Sequence, residues 1–212
     1  MAKWSRIIAR NPVDALPNRS PFATALNAHR ALFATLDTLQ ADVDRVAATL
    51  AACLRAGGKL MLCGNGGSAA DSQHIAAELT GRFVHDRPAL AGLALSTDSS
   101  ALTCIGNDYG FDAVFERQVQ GLGRAGDCLI LISTSGNSAN QLRAAQAARG
   151  LGITTLGLLG RDGGQLLALC DDAVVVPSQT TARIQEAHIF IGHCWCALVE
   201  QALGVGQAPA AA

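Results

Sequence analysis

Lys59-Leu60-Met61-Leu62-Cys63 runs directly into Gly64-Asn65-Gly66-Gly67-Ser68-Ala69-Ala70-Asp71, and a helix-patterned segment carrying His74 and Glu78 follows. An apolar run of strand length stops at glycines, which let the backbone turn sharply and approach a ligand closely because no Cβ intervenes. The helix that opens there presents unpaired N–H groups, which favour an anion such as a phosphate. His74 and Glu78 are four residues apart and share one helical face beyond that anion site. This one stretch sets phosphate recognition beside ionisable chemistry.

Outward from it, short apolar runs alternate with helical patterns. Strands are expected at 59–63, 91–95, 127–132, 153–159 and 173–176, and helices at 67–82, 98–106, 111–122, 138–149, 163–169 and 181–204. Strands apolar throughout and separated by helices predict an α/β fold with a parallel sheet covered on both faces. Before the first strand, Phe22, Leu26, Phe33, Leu36, Leu39, Val43, Val46 and Leu50 recur at helical spacing, which predicts two helices or one bent helix ending at Gly57-Gly58. Residues 1–20, with Pro12 and Pro17, read as an N-terminal arm; 21–204 read as the domain; 205–212 read as a disordered tail.

Composition narrows the class. Of 212 residues, half are apolar and 16% are charged, with a net charge of −1. That predicts a large core and argues against a general nucleic-acid binder, which would show a basic excess. The apolar runs are far shorter than the ~20 residues of a membrane-spanning helix, and the N-terminus lacks the apolar centre of a signal peptide. A cytoplasmic location is the expectation. Seven cysteines, mostly inside apolar runs, read as buried free thiols of a reducing compartment.

A second loop echoes the first. Asp127-Cys128-Leu129-Ile130-Leu131-Ile132 leads into Ser133-Thr134-Ser135-Gly136-Asn137-Ser138 and then a helix. Hydroxyls and backbone N–H groups can wrap a phosphate without a fixed positive charge, and four hydroxyls exceed what a helix cap needs. In open α/β sheets both loops would face a crevice at the carboxyl ends of their strands. The match of Gly64–Ala69 to a dinucleotide fingerprint is weak, because the acidic residue that ends the next predicted strand, Asp98, lies too far along to hold a ribose. The last predicted helix carries Gln185, Glu186, His188 and His193. Gln185 and His193 line one side of it, so imidazoles, a carboxylate and an amide oxygen meeting between two helices could hold zinc. His188 reads as a core or supporting histidine. Asn107-Asp108 sits where the short 98–106 helix is expected to stop, and Arg82, Arg87 and Arg183 are candidates to neutralise a phosphate.

Taken together, Gly64-Asn65-Gly66-Gly67-Ser68, His74-x-x-x-Glu78, Gly106-Asn107-Asp108, Ser133 to Ser138, Asp162-Gly163-Gly164 and Arg183-Ile184-Gln185-Glu186 resemble the phosphoheptose isomerases of the sugar-isomerase (SIS) fold. The likeness runs from about residue 22 to 204. It implies a three-layer α/β sandwich on a five-stranded parallel sheet, a homotetramer, and conversion of sedoheptulose 7-phosphate to D-glycero-D-manno-heptose 7-phosphate, which supplies heptose for lipopolysaccharide or related glycans. It also implies one zinc ion per subunit on His74, Glu78, Gln185 and His193, and an acid/base pair of Glu78 and His193. Substrate contacts are implied at Asn65, Gly66, Gly67, Ser68, Glu78, Asn107, Asp108, Ser133, Thr134, Ser135, Ser138 and Gln185. The alternative is a non-catalytic protein of the same fold that binds the replication initiator. That relative resembles this chain in its loops but lacks counterparts of Glu78 and His193.

Overall fold

The computed structural model describes residues 20–206; the N-terminal arm, but for Ser20, and the end of the tail lie outside the described residues. Five strands, β1 (Leu60–Gly64), β2 (Gly92–Ala94), β3 (Cys128–Ser133), β4 (Thr154–Gly160) and β5 (Asp172–Val176), form one parallel sheet in the order β2-β1-β3-β4-β5. Every expected strand is present, each displaced by a residue or so. The register pairs Leu60 with Gly92 on one side and with Cys128 on the other.

Burial explains why these runs read as continuously apolar. Side chains alternate between two cores: Leu60, Leu62, Ile130, Ile132, Leu156, Leu158, Val174 and Val176 point to one face, and Met61, Cys63, Leu129, Leu131 and Leu159 to the other. The first face is covered by α2 (Gln40–Arg55), α3 (Gly67–Thr80) and α8 (Thr181–Leu203), with Leu50, Ile75, Leu79, Trp195 and Val199 in the seam. The second is covered by α5 (Val114–Leu122) and α6 (Ala139–Gly150), whose Val119, Ala144, Ala145 and Ala148 are fully buried. At ~25 cal/mol per Å² of apolar surface, each large side chain in these layers contributes on the order of 2 kcal/mol. The result is a three-layer α/β sandwich.

The N-terminal segment is two helices, α1 (Pro21–Phe33) and α2, joined by a 3₁₀ turn at Leu36–Leu39. Ser20 caps α1 by accepting the Ala23 N–H at 3.1 Å. Only Leu32 of α1 is buried, and Phe22 is 75% exposed. α4 (Ser99–Tyr109) corrects one expectation: it continues through Asn107-Asp108 and stops at Gly110, whose φ of 84° no ordinary residue adopts easily. The expected 111–122 helix begins as a 3₁₀ turn at Phe111–Ala113, and α7 is one turn, Gly164–Leu167. At the other end of α8, Val205 N–H returns to the Glu200 carbonyl at 3.0 Å, so the first tail residue is tied down. All seven cysteines are free thiols, and four of them, Cys53, Cys63, Cys128 and Cys196, are buried. Among the described residues no helix is long and apolar enough to cross a membrane.

His188 lies wholly inside, under α8, and neither ring nitrogen has a hydrogen-bond partner. Burial drives its pKa down to about 4. Between pH 6.5 and 4 the unfolded chain therefore takes a proton at His188 that the native chain refuses, and the contribution of this group falls with falling pH, by about 3 kcal/mol across the window; Asp71, raised by burial to about 6, works in the opposite direction below that pH. Asp172, held low by Arg45, titrates below the window. So does Asp127, whose bonds from Lys59 and the Arg124 N–H outweigh its burial. His188→Leu removes only the histidine's share, so its stability should rise relative to wild type as pH falls from 7 to 4.5; urea midpoints at pH 7, 6, 5 and 4.5 test it, and parallel curves for the two proteins would refute it.

Candidate active site

β1 and β3 are neighbours in the sheet, but the chain leaves them in opposite directions: β1 is followed by β2 on one side, and β3 by β4 on the other. That reversal is the crevice where open α/β sheets bind ligands. Both expected loops border it. The first turns at Gly66 (φ 57°) and the second is braced by the next loop, since Leu166 N–H donates to Gly136 O and Gln165 N–H to Asn137 Oδ1. Asn65 and Asn140 bridge the crevice by exchanging amide hydrogen bonds of 3.0 and 2.9 Å.

The helices that start here leave their ends open. Gly66 at the N-terminus of α3 has no side chain to offer, and Ser138 at that of α6 makes no capping bond with its hydroxyl. Ser133 Oγ accepts the Gly136 N–H and Ser135 Oγ the Asn137 N–H, which shapes the loop. Two helix ends with unspent donors and a free hydroxyl suit a phosphate. By contrast Asp98 accepts the Ala101 N–H as the cap of α4, so it is not a free ribose ligand.

A second cluster lies on the same two helices. α3 and α8 run side by side, and His74 Nε2 stands 3.3 Å from His193 Nε2 and 3.2 Å from Glu78 Oε1. The three ligand atoms all fall within 4.8 Å of one another. Tetrahedral zinc with bonds of about 2.05 Å separates its ligands by about 3.3 Å, so two imidazoles and a carboxylate in this arrangement fit the ion. Phe83 backs His193, ring centroids 5.5 Å apart. Gln185 stands against Gly67 at the first turn of α3: a Cβ at 67 would lie 2.3 Å from its amide nitrogen. One turn before His74, Asp71 Oδ2 is buried without a partner, and burial pushes that carboxyl up to about 6 against the opposing pull of His74.

Comparison with known proteins agrees with this architecture. A family model described as the SIS domain matches residues 26–160. A phosphoheptose isomerase from Nitratiruptor sp. is 63% identical over 143 residues, covering 68% of this chain and 76% of the relative. The solved phosphoheptose isomerase of Neisseria gonorrhoeae matches at TM-score 0.76 and 47% identity, covering 85% of this chain and 95% of its own. That of Francisella tularensis matches at TM-score 0.82 and 35% identity, covering 85% and 96%. The chain belongs to the phosphoheptose isomerases. It is therefore an enzyme, and the initiator-binding alternative is not favoured.

Within this isomerase the expected residues separate into groups. Asn65, Gly66, Gly67, Ser133, Thr134, Ser135 and Ser138 border the crevice, with Ser68 buried behind the first loop, while His74, Glu78 and His193 form the cluster. Asn107 and Asp108 are exposed on α4, where the Asn107 amide donates to Asp108 Oδ1 at 2.7 Å. The three arginines are committed elsewhere. Arg87 is buried, Arg183 binds Glu186 and the Ala25 carbonyl, and Arg82 donates to the Val84 carbonyl. Asn140 is the site residue that sequence reasoning missed. Its one signal is an amide on the buried stripe Asn140, Ala144, Ala148, where an apolar residue would otherwise stand.

Asn140→Ala should leave the Asn65 amide without either of these two hydrogen bonds and the first loop unlatched. An unmade bond of ~1–3 kcal/mol predicts a loss of isomerase kcat/KM of about tenfold or more with a modest change in thermal midpoint. Unchanged kcat/KM in a steady-state assay would refute the latch.

Proposed function

We propose that this isomerase interconverts sedoheptulose 7-phosphate and D-glycero-D-manno-heptose 7-phosphate, with Glu78 and His193 as the acid/base pair and with zinc held by His74, Glu78 and His193. The observation that carries this reading is the placement of two imidazoles and a carboxylate within 4.8 Å of one another, His74 and Glu78 on α3, the helix that begins at the crevice, and His193 on α8 beside it. The product is an aldose of the kind used for lipopolysaccharide or related glycans, and the setting is the cytoplasm.

The reaction moves hydrogen between C1 and C2. Loss of a proton from C1 of the ketose, with protonation of O2, gives a 1,2-enediol; protonation at C2 and loss of the O1 proton give the aldose. Each step needs a group that exchanges a proton at carbon and one that serves the oxygens. Glu78 takes and returns the proton at carbon. His193, packed edge-on to His74 and backed by Phe83, serves the oxygens. When bound, zinc supplies polarisation of the carbonyl oxygen. A carboxylate that ligates tightly is a poor base, so Glu78 serves the two roles in turn. Gln185, about 12 Å along α8 from His193, would join the ligand set only by turning its amide away from Gly67. The two loops hold the phosphate, with Asn65, Gly66, Gly67, Ser68, Ser133, Thr134, Ser135 and Ser138 as contacts, and Asn107 and Asp108 close on the sugar from α4.

The assembly is a homotetramer. α1 buries only Leu32, and a groove of about 450 Å³ opens between the N-terminal helices and α8, lined by Phe33, Leu36, Leu39, Val43, Phe190 and Leu198. Apolar surface of this kind is covered by a second copy. Light scattering should give four times the chain mass at micromolar concentration; a stable monomer would overturn this assignment.

Glu78→Gln keeps the shape and removes the basicity. It should lower kcat by at least ~10²-fold, the lower range for general acid–base catalysis, while the phosphate loops still bind substrate. In deuterated water the wild-type product should carry solvent deuterium at C2. Full turnover by Glu78→Gln, or product with no label at any conversion, would sink the enediol route.

A further inference from the structure

The last turn of α3, which carries Glu78, ends in a buried clamp that neither the phosphate crevice nor the metal cluster accounts for. Arg87 reaches back under α3 with its side chain 1% exposed. Its Nη2 donates to the Glu78 carbonyl at 2.6 Å, and its Nη1 to the carbonyls of Leu79 at 2.8 Å, Pro88 at 3.0 Å and Gly81 at 3.4 Å. Its Nε donates to Glu200 Oε1 at 2.6 Å. One guanidinium thereby closes the carbonyl end of α3, where the helix dipole is negative, and ties it to α8.

The other half of the pair is equally placed. Glu200, 7% exposed, follows His193 by seven residues, two turns along the same face of α8. It also accepts the Phe83 N–H at 3.3 Å, and Phe83 is the ring that backs His193. Glu78 is held through its own carbonyl, His193 through the helix that Glu200 anchors, and Phe83 through its N–H. A buried ion pair is poor evidence for stability as such, because an apolar pair of similar volume often does as well. Its distinctive property is geometric: a fork of fixed donors permits one register.

We infer that Arg87 and Glu200 are positioning residues, which set the register of α3 against α8 and so hold Glu78, His74 and His193 at metal-binding distance. The inference rests on the reading of that cluster as a divalent-metal site. Ligand-supporting contacts of this order change metal affinity by about 10–100-fold when removed.

The test uses the full chain. Zn²⁺ affinity is measured by competition with a chromophoric chelator, and the Co²⁺-loaded protein is read by its d–d absorption. The proteins compared are wild type, Arg87→Lys, Glu200→Gln, the double variant Arg87→Met/Glu200→Leu, and Val119→Ala. Arg87→Lys keeps the charge and loses the fork; the double variant keeps a packed interior and loses the register. Val119→Ala opens a cavity in the core on the other face of the sheet and controls for general loosening. Zn²⁺ affinity about tenfold or more weaker in the clamp variants, with an altered Co²⁺ spectrum, is expected, while Val119→Ala stays within about twofold of wild type at a comparable fall in thermal midpoint. Should Arg87→Lys not fold, Glu200→Gln and the double variant decide. Clamp variants with wild-type affinity and spectrum would overturn the inference and leave the metal reading intact. Wild-type protein that binds neither ion would overturn both.

Discussion

The site depends on how closely α3 approaches α8. Gly192 faces Ile75 with so little room that a Cβ at 192 would lie 2.6 Å from the Ile75 side chain, and Gly67 meets Gln185 in the same way two turns earlier. Two helices whose contact positions carry side chains pack ~8–10 Å apart, and glycine at the contact lets them come nearer. Across this close contact His74 and His193 stand 3.3 Å apart. The sheet fixes where each helix starts, since β1 delivers α3 and β5 precedes α8. The glycines fix how near they come, and the guanidinium of Arg87 fixes how they slide. Chemistry at this groove is a property of a helix pair before it is a property of any residue.

The phosphate side follows a different logic, one of vacancies kept at helix ends. Neither α3 nor α6 is capped by a side chain, although both start after loops rich in serine, asparagine and glycine. Among the described α-helices only α1 and α4 have a side-chain cap, from Ser20 and Asp98. An uncapped N-terminus leaves several N–H groups unsatisfied, which disfavours the helix unless something else accepts them. An anion such as a phosphate is suited to do so. The Asn65–Asn140 amide pair then holds the two uncapped ends at a fixed separation across the crevice.

What could be read from the sequence was local. Continuous apolar runs marked all five strands, because both faces of each strand are buried, and the His74–Glu78 spacing survives as a helical face. The loops at 64–69 and 133–138 announced themselves by composition. What could not be read depends on partners far along the chain. Arg87 looked like a phosphate ligand, yet it is committed to carbonyls of α3 and to Glu200, 113 residues away. Asn140 gains its meaning only from Asn65, 75 residues earlier. Gln185 and His193 do lie along one helix, but whether an amide at 185 meets a metal or a glycine is set by the level at which α3 crosses, which spacing along α8 cannot tell. Asn107-Asp108 resembled a helix stop because a glycine preceded it; the residue that can take positive φ at no cost was Gly110, two positions on.

The commitment of the arginines has a consequence for how binding energy is distributed. Arg87 spends its donors on carbonyls and on Glu200, Arg183 binds Glu186 and the Ala25 carbonyl, and Arg82 donates to the Val84 carbonyl, so the crevice, on the reading proposed above, is lined by backbone N–H groups and hydroxyls. A charge-assisted, bidentate arginine grip is roughly twice as strong as a neutral hydrogen bond and would hold substrate and product phosphate alike. Uniform binding of that kind lowers KM without raising kcat, because the phosphate does not change between ground state and transition state. On the enediol route proposed above the charges that change lie at C1, C2 and their oxygens, where ionisable groups act on the transition state alone. A cradle of neutral donors would then hold the phosphate in register and let it leave, with the charged groups kept for the two carbons.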